Sequence, residues 1–121
     1  MKLREVAQSI SAEVLFGEEF LDTIEIQCAY GADLMSDVLA FALPGTLLLT
    51  GLTNIQIVRT AQMLDLPAVV FVRGKRPQEA AIQLASQIGM PVLFSPMSMF
   101  EACGILFQKG LQACTIPARE V

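Results

Sequence analysis

The sequence contains no histidine and no tryptophan, and only three of its 121 residues are cysteine. Without histidine, the usual general base at neutral pH and the commonest metal ligand are both missing, which counts against hydrolase and metalloenzyme readings. Cys28, Cys103 and Cys114 are odd in number, widely spaced and free of any C-x-x-C pairing, so they indicate neither a disulfide framework nor a zinc or iron–sulfur site. Buried thiols are the expectation. No G-x-x-x-x-G-K-[ST] loop and no G-x-G-x-x-G turn occurs, which removes a nucleotide-hydrolysing loop and a dinucleotide fingerprint. Charge is also scarce: 17% of residues are charged and the net charge is −4. Nucleic acid and anionic membrane are therefore poor partners, since both need a basic surface. From these absences we expect no cofactor, no metal site and no catalytic residue.

What is plentiful is apolar surface, at 54% of residues. A chain of this length forms one domain, and a small monomer cannot easily hide so much of it. The expected partner is a second copy of the same chain, because most soluble oligomers are symmetric homo-oligomers. The opening MKLREVAQSISAEVL mixes charged and apolar residues and lacks the continuous apolar core of a signal peptide, so a cytoplasmic location is expected. The uncharged run from Val38 to Val58 approaches bilayer-spanning length, but Pro44-Gly45 interrupts it and Thr50, Thr53, Asn54 and Gln56 add polar groups.

Periodicity predicts an α/β domain: a layered α/β/α arrangement around a small, mainly parallel sheet, occupying residues 1–110, with a loose tail over 111–121. Leu3, Val6 and Ile10 space a short first helix, and AEVLF forms a strand ending at Gly17. TIEIQCAY, residues 23–30, alternates as a half-exposed edge or peripheral strand would. The stretch ADLMSDVLA then reads as a helix capped by Asp33, with Asp37 in its first turn and Leu34, Val38 and Phe41 facing inward. Three strand–helix pairs follow: TLLLT with IQIVRTAQMLDL, AVVFV with QEAAIQLASQIG, and PVLF with MFEACGILFQKG. Gly89 and Gly110 close the last two helices, and Ser98 with Glu101 has the spacing of a capping box. Ile55, Val58, Ala61 and Met63 or Leu64 form the expected inner stripe of the first of these helices. Met90, Met97 and Met99 are expected to fill the core or a dimer interface.

Ligands of open parallel sheets bind beyond the carboxyl ends of the strands. That rule nominates Thr50, Thr53 and Asn54 after the first buried strand, Arg73, Gly74, Lys75 and Arg76 after the second, and Ser95 after the third. The Arg73–Arg76 turn, just before a helix N-terminus, could attract an anionic small molecule such as a phosphate or carboxylate; an exposed, solubilising turn is the competing account. Asp33 and Asp37, one helical turn apart, have ordinary work as cap and dipole partner, ahead of any role as an acid/base or metal pair.

Four pieces in order, ADLMSDVLA, the Pro-Gly before the first buried strand, N-I-x-I-V after it and the closing F-E-A-C-G-x-L, make residues 29–111 resemble a DRTGG domain, and MKLREVAQSISAEVLFGEE is similar to that family's opening. The resemblance implies a small α/β domain similar in fold to the N-terminal domain of HPr kinase/phosphorylase, found alone or attached to CBS-domain pyrophosphatases and phosphotransacetylases. It implies a regulatory or assembly module, often dimeric, with a protein partner and no chemistry of its own. Stand-alone members near iron hydrogenase genes imply an accessory role in electron transfer. The chain departs from the family's pattern at DTIEIQCAY, where Cys28-Ala29 stands in place of a glycine pair and the arginine is missing.

Overall fold

Three uninterrupted apolar runs decide the architecture. In the computed structural model, which describes residues 1–114, they become β3 (Leu47–Thr50), β4 (Val69–Phe71) and β5 (Val92–Phe94), adjacent parallel strands at the centre of one sheet. The six-stranded order is β1-β5-β4-β3-β2-β6, with β1 at Glu13–Phe16, β2 at Cys28–Gly31 and β6 at Gln112–Ala113. Within this sheet, among the described residues, only the β1–β5 pairing is antiparallel. Strands buried on both faces need apolar side chains at every position, which is why these runs do not alternate.

Successive residues of the central strands feed two separate cores. Leu47, Leu49, Val70, Val72 and Leu93 pack under α1 (Leu3–Ser9) and α5 (Met99–Gln108). Leu48, Val69, Phe71 and Val92 pack under α2 (Met35–Phe41), α3 (Ile55–Met63) and α4 (Glu79–Ile88). The result is the expected three-layer α/β/α domain. The caps of α3 and α5 form as their sequences specify: Asn54 Oδ1 accepts from the Ile57 N–H at 3.3 Å, and Ser98 Oγ accepts from Glu101 N–H at 3.1 Å while Ser98 N–H donates back to Glu101 Oε1 at 3.3 Å. Gly89 ends α4 with a left-handed φ of 73°, a conformation that glycine adopts without a Cβ penalty.

Four expectations need correction. The strand expected over 23–30 begins only at Cys28, because the preceding segment is held by the chain start: Ile24 carbonyl accepts from Leu3 N–H, Ile26 N–H donates to the Met1 carbonyl at 2.7 Å, and Glu25 meets the N-terminal amine at 3.2 Å. Nor is β2 an edge. Residues 112–113, expected in a loose tail, pair with it as β6 because Leu111 buries against the α1/α5 core and delivers the chain to its flank; the remainder of that tail, 115–121, lies outside the described residues. In α2 the inward stripe is Met35, Val38 and Ala42, since the helix starts at Met35; Leu34 is 60% exposed. In α3 the fully buried positions are Ile57, Val58 and Ala61, and Met63 faces outward. Among the described residues no helix is long and apolar enough to cross a membrane.

Candidate functional site

The parallel strands bring their carboxyl ends, and all of the nominated loops, to one edge of the sheet. Thr50 is buried, and its Oγ1 accepts from Leu52 N–H at 3.1 Å, tightening the turn out of β3. Thr53 presents its carbonyl to Gln78 N–H at 2.9 Å, joining the β3 and β4 loops, while Asn54 caps α3. Arg73 and Gly74 both adopt left-handed φ, 68° and 64°, which turns their amides inward: Arg73 N–H donates to the Met97 carbonyl at 2.7 Å and Gly74 N–H to the Ser95 carbonyl at 3.3 Å. Ser95 is buried; its hydroxyl donates to the Ile10 carbonyl at 2.7 Å and accepts from Met97 N–H at 3.2 Å. Arg76 reaches Glu13 on β1 at 3.6 Å. Lys75 has no ion-pair partner among the described residues.

Asp33 belongs to this edge and not to the start of α2. Leu34 occupies the α2 cap position, without a capping side chain, and Asp33 turns instead to the β3 loop. Its Oδ1 accepts from Gly51 N–H at 2.7 Å and its Oδ2 lies 3.5 Å from Arg73 Nη1. The cause is the end of the strand ladder: Gly51 is buried just past β3, so its amide needs an acceptor, and an ionised carboxylate makes a stronger one than a helix cap requires. The Arg73 guanidinium lies directly across Gly51, in space that a Cβ there would fill. Glycine at 51 is thus what lets the Asp33–Arg73 pair close over the sheet edge. Asp37 does occupy the first turn of α2, as expected, and no cluster of three or more metal-ligating side chains forms among the described residues.

A second site was not nominated by the loop rule. Between α5 and the β2–β6 flank of the sheet runs a groove of about 560 Å³, floored by Ala29, Gly31 and Ala113 and walled by Met99, Cys103 and Phe107. Small floor residues leave the groove open, and Gly31 is required to be small: a Cβ there would come within 2.9 Å of Met99 Sδ and 3.0 Å of Cys103 Sγ. Along its rim Phe100 is 87% and Phe107 69% exposed, two aromatic rings seven residues apart on one face of α5. Burial raises the Cys103 thiol above its ordinary pKa, keeping it protonated. An opening lined this way holds apolar surface. The sequence signal for it is the Phe100–Gly104–Phe107 spacing within MFEACGILFQKG, which periodicity alone does not single out.

No family model matches the chain, and no curated protein matches it in sequence. Among solved structures it is similar to the CBS and DRTGG domains of the regulatory region of Clostridium perfringens pyrophosphatase, determined in complex with its activator diadenosine tetraphosphate. The TM-score is 0.68 at 19% sequence identity, covering 92% of this chain and 47% of that one. The chain therefore spans about half the length of that structure, and the likeness is one of fold.

Proposed function

We propose that this chain is a non-catalytic regulatory or protein-interaction domain of the DRTGG type, acting in the cytoplasm as a homodimer and serving as an accessory to hydrogenase or electron-transfer systems. The observation that carries the reading is the α5 groove with its two exposed phenylalanines. A contiguous apolar opening of this kind marks an interaction surface, and aromatic residues are the common anchors of such surfaces. The fold shared with the regulatory region of a pyrophosphatase supports the regulatory part of the reading. Light scattering at micromolar concentration tests it: a mass of two chains is expected, and a mass of one removes the homodimer.

A second reading is a sensor for a nucleotide or another phosphorylated metabolite at the strand-end loops. It is favoured by Lys75, next to Arg73 and without an ion-pair partner among the described residues, and by the nucleotide activator bound in the structurally similar protein. In this reading an anion draws the Arg73 guanidinium away from Asp33. A ligand present at a hundred times its dissociation constant adds about 2.7 kcal/mol of stability, a clear rise in melting temperature. Thermal-shift measurements with ATP, diadenosine tetraphosphate and acetyl phosphate at millimolar concentration check this, and no shift with any of them sinks it.

A further inference from the structure

Cys28 and Cys114 are 86 residues apart in sequence, yet their Sγ atoms lie 2.9 Å apart, closer than an ordinary contact between sulfurs. Cys28 opens β2, Cys114 follows β6, and Thr46, just before β3, completes the cluster with its Oγ1 3.0 Å from Cys114 Sγ and 3.8 Å from Cys28 Sγ. Both thiols are free and only half-buried, so each retains exposure to solutes, and Cys114 also lines the α5 groove. A disulfide has its sulfurs at about 2.05 Å, so closing the pair requires a movement of under about 1 Å. We propose that Cys28 and Cys114 are a redox-reactive dithiol that small-molecule disulfides oxidise to an intramolecular disulfide, clamping β6 to β2 and fixing the floor of the groove.

The chemistry is thiol–disulfide exchange. The Cys28 thiolate attacks one sulfur of the oxidant, forming a mixed disulfide and expelling the first thiolate, which takes up a proton. Cys114 then loses its proton to solvent and attacks the Cys28 sulfur, forming the Cys28–Cys114 bond and expelling the second thiolate. The two protein thiols lose two electrons and two protons, and the oxidant becomes two thiols. Burial, with the contact to Cys28, pushes the Cys114 thiol up to about 11, which leaves little of it as thiolate at neutral pH and makes its attack the slow step. Cys103, also on the groove, has no thiol neighbour among its hydrogen-bond partners and stays reduced.

The clamp matters because β6 is short. Beside its two-residue pairing with β2, the segment is tied to that side by Gln112 N–H to the Gln27 carbonyl at 3.0 Å and Cys114 N–H to the Ala29 carbonyl at 3.3 Å. Oxidation therefore converts a strand that can fray into a fixed one, independently of whether the groove receives a second copy of the chain.

The test is to equilibrate the reduced full chain with mixtures of oxidised and reduced glutathione and to measure intact mass, free thiols and peptide linkage. Expected are loss of the mass of two hydrogens, a fall from three free thiols to one, a Cys28–Cys114 linked peptide, and a rise in melting temperature on the order of 10 °C. Cys28→Ser and Cys114→Ser each abolish the change, and Cys103→Ser leaves it intact. Glutathione adducts that accumulate without ring closure, linkage through Cys103, or equal melting temperatures for oxidised and reduced protein would each overturn the proposal. Because the mass and linkage readouts use the unaltered chain, a serine variant that failed to fold would not protect it.

Discussion

The carboxyl edge of the sheet and the groove beside α5 differ in a way that inverts their appearance in the sequence. The edge is rich in polar side chains, and the structure uses most of them internally: Thr50 and Asn54 satisfy amides of their own turns, Ser95 accepts from Met97 N–H and donates to the distant Ile10 carbonyl, and Asp33 holds both the Gly51 amide and Arg73. The groove has few polar groups, yet it stands open to solvent. In a domain this small, residues that turn the chain from strand to helix must first pair the buried amides and carbonyls released where the ladder ends. Polarity in such loops is therefore a weaker sign of a ligand than apolar surface left uncovered.

The sharpest way to break this contrast is to charge the groove. Phe100→Glu with Phe107→Glu is expected to halve the mass seen by light scattering and to weaken self-association at least about 100-fold, since buried aromatic anchors are commonly worth 2 kcal/mol or more each. Both rings are exposed in the single chain, so its secondary structure should persist by circular dichroism. Wild-type association in this variant would remove the groove as an interface.

A smaller effect sharpens the description of the other region. Asp33→Ala leaves the buried Gly51 amide without its acceptor and is expected to cost about 1–3 kcal/mol in urea denaturation. Asp33→Asn keeps an acceptor oxygen and loses only the half-exposed pair with Arg73, for less than about 1 kcal/mol. Equal losses in the two variants would assign the work to the ion pair and not to the backbone hydrogen bond.

The smallest effect lies on the α1 side, away from both regions. The hydrogen bond and charge of Arg4 lower the pKa of Asp22, and the N-terminal amine, followed by Lys2, lowers that of Glu25. Folded-state pKa values below the unfolded ones give stability that is complete above the unfolded carboxylate range, near pH 4, and is lost as pH falls through the folded values. Melting temperatures measured from pH 5 down to pH 2.5 should decline less steeply for Asp22→Asn than for the unaltered chain. Identical slopes would show that the exposed Arg4–Asp22 pair contributes nothing.

Much of the fold was legible because its signals are local. TLLLT, AVVFV and PVLF are too short and too apolar for anything but buried strands, and Asn54, Ser98 and Gly89 mark helix ends by chemistry that acts within a turn. What misled were residues whose partners are distant in sequence. Asp33 resembles a cap because capping is the local use of an aspartate; its real partner, Gly51, becomes a neighbour only when β2 and β3 pair. The alternation of Ile24 and Ile26 resembles a strand but records contact with residues 1–3, and Phe100 and Phe107 match a core helix until the sheet beneath proves to be floored by alanine and glycine. Periodicity shows which face is apolar; it is silent on whether anything covers that face.

The strand order also sets a sequence of assembly. Pairings from β2 through β5 join segments that follow one another along the chain, each closed by a single crossover helix, whereas both flanks need distant partners: Glu13 lies beside Phe94, and Cys28 beside Gln112. Contacts between remote segments bear the larger loop-closure entropy and form late. The central four strands should therefore collapse first and the two flanking strands dock onto them, so amide exchange is expected to be fastest in β1 and β6 and slowest in β3 and β4. The groove floor is then the last part of the sheet to be built and the first to come undone.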